Sequence, residues 1–362
     1  MPRKPPIYRK ILDALSAEIE AGRFAPGQKF PSEATLVRRF GASRITVGRA
    51  VRELQQMGLV DRLSGSGTWV CGGVKQSGEP MLFGLVIPDL GETEIFEPIC
   101  RGIADAPEAA RCALLWPHTR SPESGREHKA IQLAQQCIAH RVAGAFFAPV
   151  EISPTADETN RRVLHMLEAA NIPIVLLDRR PDLSTRIQHD LVGIHNRRAG
   201  HVAAEHLARL GAHRIGFLFY QGQASTARLR SAGYVDVVGS ARDIFSVEPG
   251  SVFNLPEEAL ACDAFVCSND RTAGRLMHFL FARGLRIPAD VRIVGIDDVN
   301  YAALLPVPLT TIHQPCHEIG ESALTAMLER LKRPKSPARD VLLDCELVIR
   351  QSCGAEAGKS TN

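Results

Sequence analysis

The sequence predicts a parallel α/β body behind a small α+β head, and three observations carry that expectation. Residues 7–70 show three short helical periodicities and then two extended runs around a glycine-rich turn. From Phe83 onward, short and wholly apolar runs alternate with amphipathic stretches, the pattern of buried parallel strands covered by helices. The two parts also differ in charge: residues 1–75 carry 13 Lys/Arg against 6 Asp/Glu, and the remainder 30 against 34. A basic head on a mildly acidic body is expected where only the head meets a polyanion. The 362 residues are too many for one compact core, so two or three domains are the default.

In the head, Ile7, Ile11, Leu15 and Ile19 lie on one helical stripe that Gly22 ends. Ser32 is placed to cap a second helix, with Glu33 at its positive end, Leu36, Val37 and Phe40 on its apolar face, and Gly41 closing it. Ser43 caps a third helix running to about Met57. On that helix Val47, Ala50, Val51, Leu54 and Met57 share one side, while Ile45, Arg49, Arg52 and Gln56 fall opposite, with Thr46 flanking. Arg44, Thr46 and Arg49 occupy the first two turns, the part of a recognition helix that enters the major groove first. Arginine pairs bidentately with guanine, and threonine reaches a phosphate or a thymine methyl. Gly48 costs roughly 1 kcal/mol relative to alanine, which suggests a close backbone approach there. Residues 59–70 read as two strands around Ser64-Gly65-Ser66-Gly67, a wing with Arg62 as its cation. The head therefore spans 1–70 as a winged helix-turn-helix; CGGVKQSGEP, residues 71–80, is a polar, glycine-rich linker; and the body occupies 81–362.

Three pieces of the head, PGQKFPSE, FGASRITVGRAV and GLVDRLSGSGTWV, resemble the GntR-type winged helix in order and over its whole length. The resemblance implies DNA contact from Arg44, Thr46, Arg49 and the Gly65–Gly67 wing tip, and Ser43 and Arg52 complete the expected DNA-facing set. That family often has a further arginine after PSE; here the position is Ala34, which is left out of the site.

In the body, the apolar runs are residues 83–89, 112–116, 142–149, 173–178, 214–220, 263–270 and 292–298. Several end in acids: Asp89, Asp178, Asp270, and Asp297 with Asp298. Ligands bind beyond the carboxyl ends of parallel strands, so these acids converge where a ligand would sit. A carboxylate accepts hydrogen bonds, an amide both donates and accepts, and a guanidinium donates a rigid fork. A polyhydroxylated sugar needs that mixture, together with a flat apolar wall that Phe96, Trp116 or Tyr301 could supply.

Residues 83–352 resemble the effector domain of the LacI/GalR family, which shares a two-lobed fold with periplasmic sugar-binding proteins; the carriers are GLVIPD, IVLLDRRPD, TARLRSAGY, AFVCSNDRTAGRLMHFLFARGLRIPADVRIVGIDD and PLTTIHQPCHEIGESALTAML. A GntR-type head on such a body is similar to regulators of the arabinose-repressor type. The resemblance implies effector contacts from Asp178, Arg230, Asn269 and Asp297, with Asp89, Arg179, Asp270 and Gln314 as further candidates. It implies lobes of residues 81–180 with a return near 315–332, and 190–310 with a final strand near 339–352, joined by three crossings that act as a hinge. Residues 233–263 are shorter than usual in that family, so a trimmed strand–helix unit is expected, and Ala148 and Cys316 replace positions that are polar or aromatic in some members. The effector is therefore not named by analogy.

Other classes are excluded or demoted. No stretch approaches the roughly 20 apolar residues of a membrane helix. The basic N-terminal stretch runs into no signal-type apolar core, so a cytoplasmic protein with no membrane association is expected. The nine cysteines form no C-x-x-C pair and the twelve histidines no ligand spacing, so neither a metal nor a cofactor is expected. Asp297 and Asp298, adjacent at one strand end, point in different directions and make a poor acid/base pair; with no nucleophile elbow and no phosphate loop, an enzyme is not expected. The expected function is a homodimeric repressor of carbohydrate catabolism on a palindromic operator, switched by a small sugar-like effector; the alternative is a sugar-binding protein without a transcriptional role.

Overall fold

The computed structural model describes residues 7–20, 22–24, 27–56, 59–63, 67–70, 80–88, 90–91, 94–116, 125–181, 189–222 and 225–355. The chain forms two compact units that meet in sequence between Glu79 and Pro80.

The first unit contains α1 (Ile7–Glu20), α2 (Glu33–Phe40), α3 (Arg44–Gln56), β1 (Val60–Leu63) and β2 (Gly67–Val70). Its helices start and stop where local chemistry directs. The Ser32 hydroxyl accepts the Thr35 N–H at 3.2 Å, and Gly41 closes α2 in the left-handed region, donating to the Val37 carbonyl at 3.0 Å. Ile11, Leu15, Ile19, Leu36, Val47, Ala50, Val51 and Leu54 form one apolar core. β1 and β2 pair antiparallel from Val60–Val70 to Leu63–Gly67, and residues 27–30 add backbone hydrogen bonds along the far side of β2. The close approach expected at Gly48 is absent: an added Cβ would meet only the Glu33 carboxylate, at 3.9–4.0 Å.

The second unit comprises β3 (Met81–Val86), α4 (Phe96–Asp105), β4 (Cys112–Leu115), α5 (Arg126–Ala139), β5 (Gly144–Phe147), α6 (Ala156–Ala169), β6 (Ile174–Leu177), β7 (Asp190–Ile194), α7 (Asn196–Arg209), β8 (Ile215–Tyr220), α8 (Ser225–Val238), β9 (Ile244–Val247), β10 (Ala264–Cys267), α9 (Asp270–Phe281), β11 (Arg292–Asp297), β12 (Thr310–His313), α10 (Cys316–Lys332), β13 (Asp340–Leu343) and β14 (Glu346–Val348). Two six-stranded sheets result, ordered β13-β7-β6-β5-β3-β4 and β14-β12-β11-β10-β8-β9. Every pairing is parallel except that of β14 with β12. β5, β6, β7 and β10 are buried along their whole length, which is why their residues run apolar rather than alternating.

Two lobe assignments differ from the expectation: the final strand expected in the second lobe is split, with β13 in the first sheet and only β14 in the second, and β7 also joins the first. Residues 190–194 belong to the first sheet, between β6 and β13, and not to the second lobe. The reason is a buried clip. The fully buried Asp190 carboxylate accepts two hydrogen bonds from the Arg330 Nη2, at 2.8 and 2.9 Å, and the Arg339 N–H at 3.0 Å, tying β7 to α10 and to the entry of β13. The lobe crossings therefore fall at Ile194–Asn196, His313–Cys316 and Leu343–Glu346.

The segment expected to be trimmed holds the edge strand β9 and then one 3₁₀ turn, Glu257–Ala261, in place of a full helix before β10. Helices α7 and α8 pack unusually closely, because a Cβ at Gly200 would overlap the Arg230 carbonyl and one at Gly233 the Arg197 carbonyl. That contact sets where Arg230 stands.

Candidate DNA-binding face and interlobe cleft

Helix α3 presents its polar side as the periodicity requires. Ser43 caps it, its hydroxyl accepting the Thr46 N–H at 3.2 Å and lying 2.8 Å from the Thr46 hydroxyl. The Arg44 side chain is 85% exposed and only loosely paired with Glu33 at 3.6 Å, a surface pair a phosphate can displace. Arg52 is exposed as well. Arg49 is more constrained: its Nε donates to Glu53 at 3.3 Å, and its guanidinium lies 3.9 Å from the centre of the Tyr8 ring. Gly65 lies outside the described residues. Gly67 opens β2 at φ +106, and an added Cβ there would press on the Lys29 side chain at 3.0 Å. Two further features mark this face, an apolar side chain that the periodicity already places opposite the core and a lysine that the sequence does not single out. Ile45, between Arg44 and Thr46, is 82% exposed, and the exposed Lys29 places its ammonium over the Trp69 ring beside the wing.

In the body, the strand ends converge as expected, in a layered arrangement. Asp178 follows β6 at φ +66, almost wholly buried, with its N–H donating to the Val192 carbonyl at 2.8 Å. Arg179 Nη1 donates to Asp178 Oδ2 at 3.0 Å and reaches Glu151 at 3.2 Å, while its Nε donates to the Pro149 carbonyl at 2.9 Å. Burial pushes the Asp178 carboxyl above the usual range, against the pull of Arg179 and Arg230.

From the second lobe, Arg230 is also buried. It donates from Nε to Asn196 Oδ1 at 2.7 Å and from Nη1 to the Ser268 carbonyl at 2.6 Å and Asp297 Oδ1 at 3.3 Å. Gln314 Nε2 donates to the same Asp297 oxygen at 2.6 Å. Asp297 sits at φ +128, a conformation L-residues rarely adopt, and burial pushes its carboxyl up to about 7. Two acceptors in this layer, Asp178 Oδ1 and Gln314 Oε1, are buried without a partner among the described residues. Each such atom costs roughly 1–3 kcal/mol unless a donor reaches it.

Above the layer lies a cavity of about 710 Å³, lined from the first lobe by Glu94, Glu97, Arg126 and Glu151, and from the second by Tyr220, Asn269, Arg271, Arg275, Asp297 and Tyr301. Asp178, Arg179, Arg230 and Gln314 lie beneath it, connected through Glu151 and Asp297. Asn269 caps α9, its Oδ1 accepting the Thr272 N–H at 2.9 Å and the Thr272 hydroxyl at 2.7 Å, which leaves its amide hydrogens for the cavity. Hydrogen bonds between described residues join the lobes, among them Ile152 N–H to the Gly222 carbonyl at 2.7 Å, Ser225 hydroxyl to the Arg180 carbonyl at 3.0 Å, and Asn300 N–H to Glu94 at 2.9 Å.

Some sequence candidates lie elsewhere. Asp89 lies outside the described residues. Asp270 is fully buried, with one oxygen accepting the Thr311 hydroxyl at 2.5 Å and the other the Val299 N–H at 3.0 Å, so it braces the strand ends inside the lobe. Asp298 is held by Arg350 at 2.7 Å and His313 at 3.0 Å. Phe96 is sealed in the core beneath the Arg179 guanidinium, and Trp116 is exposed but outside the cavity lining, leaving Tyr301 as the aromatic wall among the three. Glu151, Arg271 and Arg275 were not anticipated. Glu151 stands four residues past its strand, and the two arginines carry a helical i, i+4 spacing that only the position of α9 turns into a cavity wall.

Among the described residues, no helix is long and apolar enough to cross a membrane, and no group of three or more His, Cys, Asp or Glu could hold a metal ion.

Comparison with known proteins adds to this geometry. Residues 7–70 match the family model for bacterial regulatory proteins of the gntR family, and residues 204–353 that for a periplasmic binding protein-like domain. An arabinose metabolism transcriptional repressor from Geobacillus stearothermophilus is 26% identical over 366 aligned positions, covering 96% of this chain and 97% of the relative. A solved LacI family transcriptional regulator from Enterococcus faecalis with bound ribose superposes with a TM-score of 0.59 at 24% identity, over 75% of this chain and 98% of that one. A transcriptional regulator CelR–cellobiose complex does so with a TM-score of 0.63 at 19% identity, over 96% and 100%. These two likenesses speak to the fold.

Proposed function

We propose that the chain, whose head matches the gntR family model and whose two-lobed body matches a periplasmic binding protein-like domain, is a transcription regulator that represses carbohydrate-catabolism genes and that a small polyhydroxylated effector switches it. The observation that carries the effector half is the interlobe cavity lined by Asn269, Asp297 and Tyr301, above a layer in which Asp178 Oδ1 and Gln314 Oε1 are buried without a partner among the described residues. A sugar in the cavity brings hydroxyl donors for Asp297 and acceptors for the Asn269 amide. The relative that acts on arabinose metabolism, and the ribose and cellobiose held by proteins of the same fold, support a sugar.

In this reading Arg44, Thr46 and Arg52 meet the major groove of operator DNA, Ser43 holds the helix start in register, Arg49 is braced for a phosphate, and the wing around Gly65 and Gly67 follows the backbone. The protein works in the cytoplasm as a homodimer, its paired heads matching the half-sites of a palindrome. Effector binding closes the lobes about the three crossings and changes that match. A coupling of about 1–3 kcal/mol suffices for 5–150-fold derepression.

The test uses the full chain. Operator selection from the source genome, followed by fluorescence anisotropy across a salt series, should give a site preferred over random duplex, with affinity falling steeply as salt rises. A thermal-shift screen of mono- and disaccharides should find a ligand that raises the melting temperature and changes operator affinity. No salt-sensitive preference for any duplex, with or without the sugars, refutes the reading.

A further inference from the structure

The cleft holds cations that a neutral sugar leaves unused. Arg271 and Arg275 lie one turn apart on α9, both exposed and both lining the cavity. Among the described residues neither makes a hydrogen bond or an ion pair. Arg271 is the second residue of a twelve-residue helix, at its positive end, where a cation is disfavoured and an anion favoured. Like charges at i, i+4 repel as well. More buried arginines of the body are matched, Arg230 to Asp297 at 3.3 Å, Arg330 to Asp190 at 2.8 Å and Arg350 to Asp298 at 2.7 Å.

The carboxylates of the same cavity do not relieve the pair. Glu151 is engaged by Arg179 at 3.2 Å, Glu94 accepts the Asn300 N–H at 2.9 Å, and Asp297 is held by Arg230 and Gln314. Among the described residues, that leaves Glu97 as the acid lining the cavity without such a bond, against the two arginines of α9.

Building on the polyol reading above, we propose that the effector carries an anionic terminus, a carboxylate or a phosphate, which docks on Arg271 and Arg275 while its hydroxylated part lies against Asn269 and Asp297. Guanidinium forks match carboxylate and phosphate oxygens equally well, so a sugar acid and a sugar phosphate share the required chemistry. The α9 N-terminus adds its dipole to the same end of the cavity.

Isothermal titration of the full chain separates the possibilities, using D-arabinose, D-arabinonate and D-arabinose 5-phosphate, then D-glucose, D-gluconate and D-glucose 6-phosphate. At least one anionic sugar should bind about tenfold or more tightly than its neutral parent, and more weakly as salt rises. The R271A/R275A variant, checked for folding by circular dichroism, should lose about 10–100-fold for that ligand and far less for the parent sugar. Whether the carboxylate or the phosphate arm responds identifies the terminus. Neutral sugars binding as tightly as their anionic counterparts, or an equal loss of both in the variant, overturns the anionic terminus and leaves the sugar-responsive reading standing. Failure of every sugar to bind a chain that still holds operator DNA removes the sugar reading and this inference with it.

Discussion

Replacing Arg230 by methionine tests the polar layer directly. The substitution keeps most of the side-chain volume but removes the donor from three acceptors: Asn196 Oδ1 at 2.7 Å, the Ser268 carbonyl at 2.6 Å and Asp297 Oδ1 at 3.3 Å. Breaking a buried charge pair from one side costs about 3–5 kcal/mol. Part of that cost depends on pH, because Asp297 answers the loss of its counter-charge by keeping its proton. Its folded value already stands at about 7 through burial, with Arg230 pulling it down; without Arg230 it rises further. Below pH 7 both proteins hold a neutral Asp297 and the variant loses only its hydrogen bonds. Between pH 7 and the variant's higher folded value, the extra cost grows by about 1.4 kcal/mol per pH unit, and then levels off. Urea denaturation of both proteins at pH 6, 7, 8 and 9 measures the difference. A cost below about 1 kcal/mol, or one that does not change between pH 6 and pH 9, shows that Arg230 and Asp297 do not form a buried pair.

Three shorter predictions accompany it. Asp297 has a folded value above its unfolded 3.8, so the stability it contributes is present in full below about pH 4 and is lost as pH rises through about 7; Asp297→Asn should therefore flatten the wild-type melting-temperature profile between pH 5 and pH 8, and an unchanged slope removes this carboxyl as its source. Gly48→Ala should raise head stability by roughly 1 kcal/mol in chemical denaturation, since the new methyl meets only Glu33 at 3.9 Å and α3 gains helix propensity; destabilisation would reveal crowding the structure does not contain. Ile45→Ala should lower discrimination at one base pair by about 1 kcal/mol or less while leaving the salt slope of operator binding unchanged, because an 82% exposed apolar side chain on α3 is suited to a thymine methyl and not to a phosphate; equal loss on specific and random duplex contradicts that role.

The head was readable almost residue by residue because its determinants are local. Ser32 and Ser43 cap amides three positions ahead, Gly41 takes a left-handed turn at a helix end, and the Val47–Leu54 stripe repeats at the helical period. The body's strands were equally visible, since a strand buried on both faces must be apolar throughout. The strand-end residues Asp178, Asn269 and Asp297 and the helical Arg230 gather at one cleft, Asn269 and Asp297 lining it and the other two in the layer beneath.

What the amino-acid order could not reveal is which strands and side chains meet. Residues 190–194 read as the opening of the second lobe until the contact of Asp190 with Arg330, 140 positions away, fastens them into the first. Asp270 and Asn269 are neighbours at one strand end, yet one turns inward to Thr311 and the other lines the cavity. By itself the sequence determined the head, its exposed cationic helix, the two parallel sheets and the chemical types gathered at their carboxyl ends, because these follow from periodicity, capping and burial within a short stretch of chain. Only the tertiary structure decided the lobe boundary, the layer beneath the cleft and the arginines that stand on its wall. Those depend on contacts between residues far apart in sequence, and a repeat pattern specifies the face a residue occupies but not the partner it finds there.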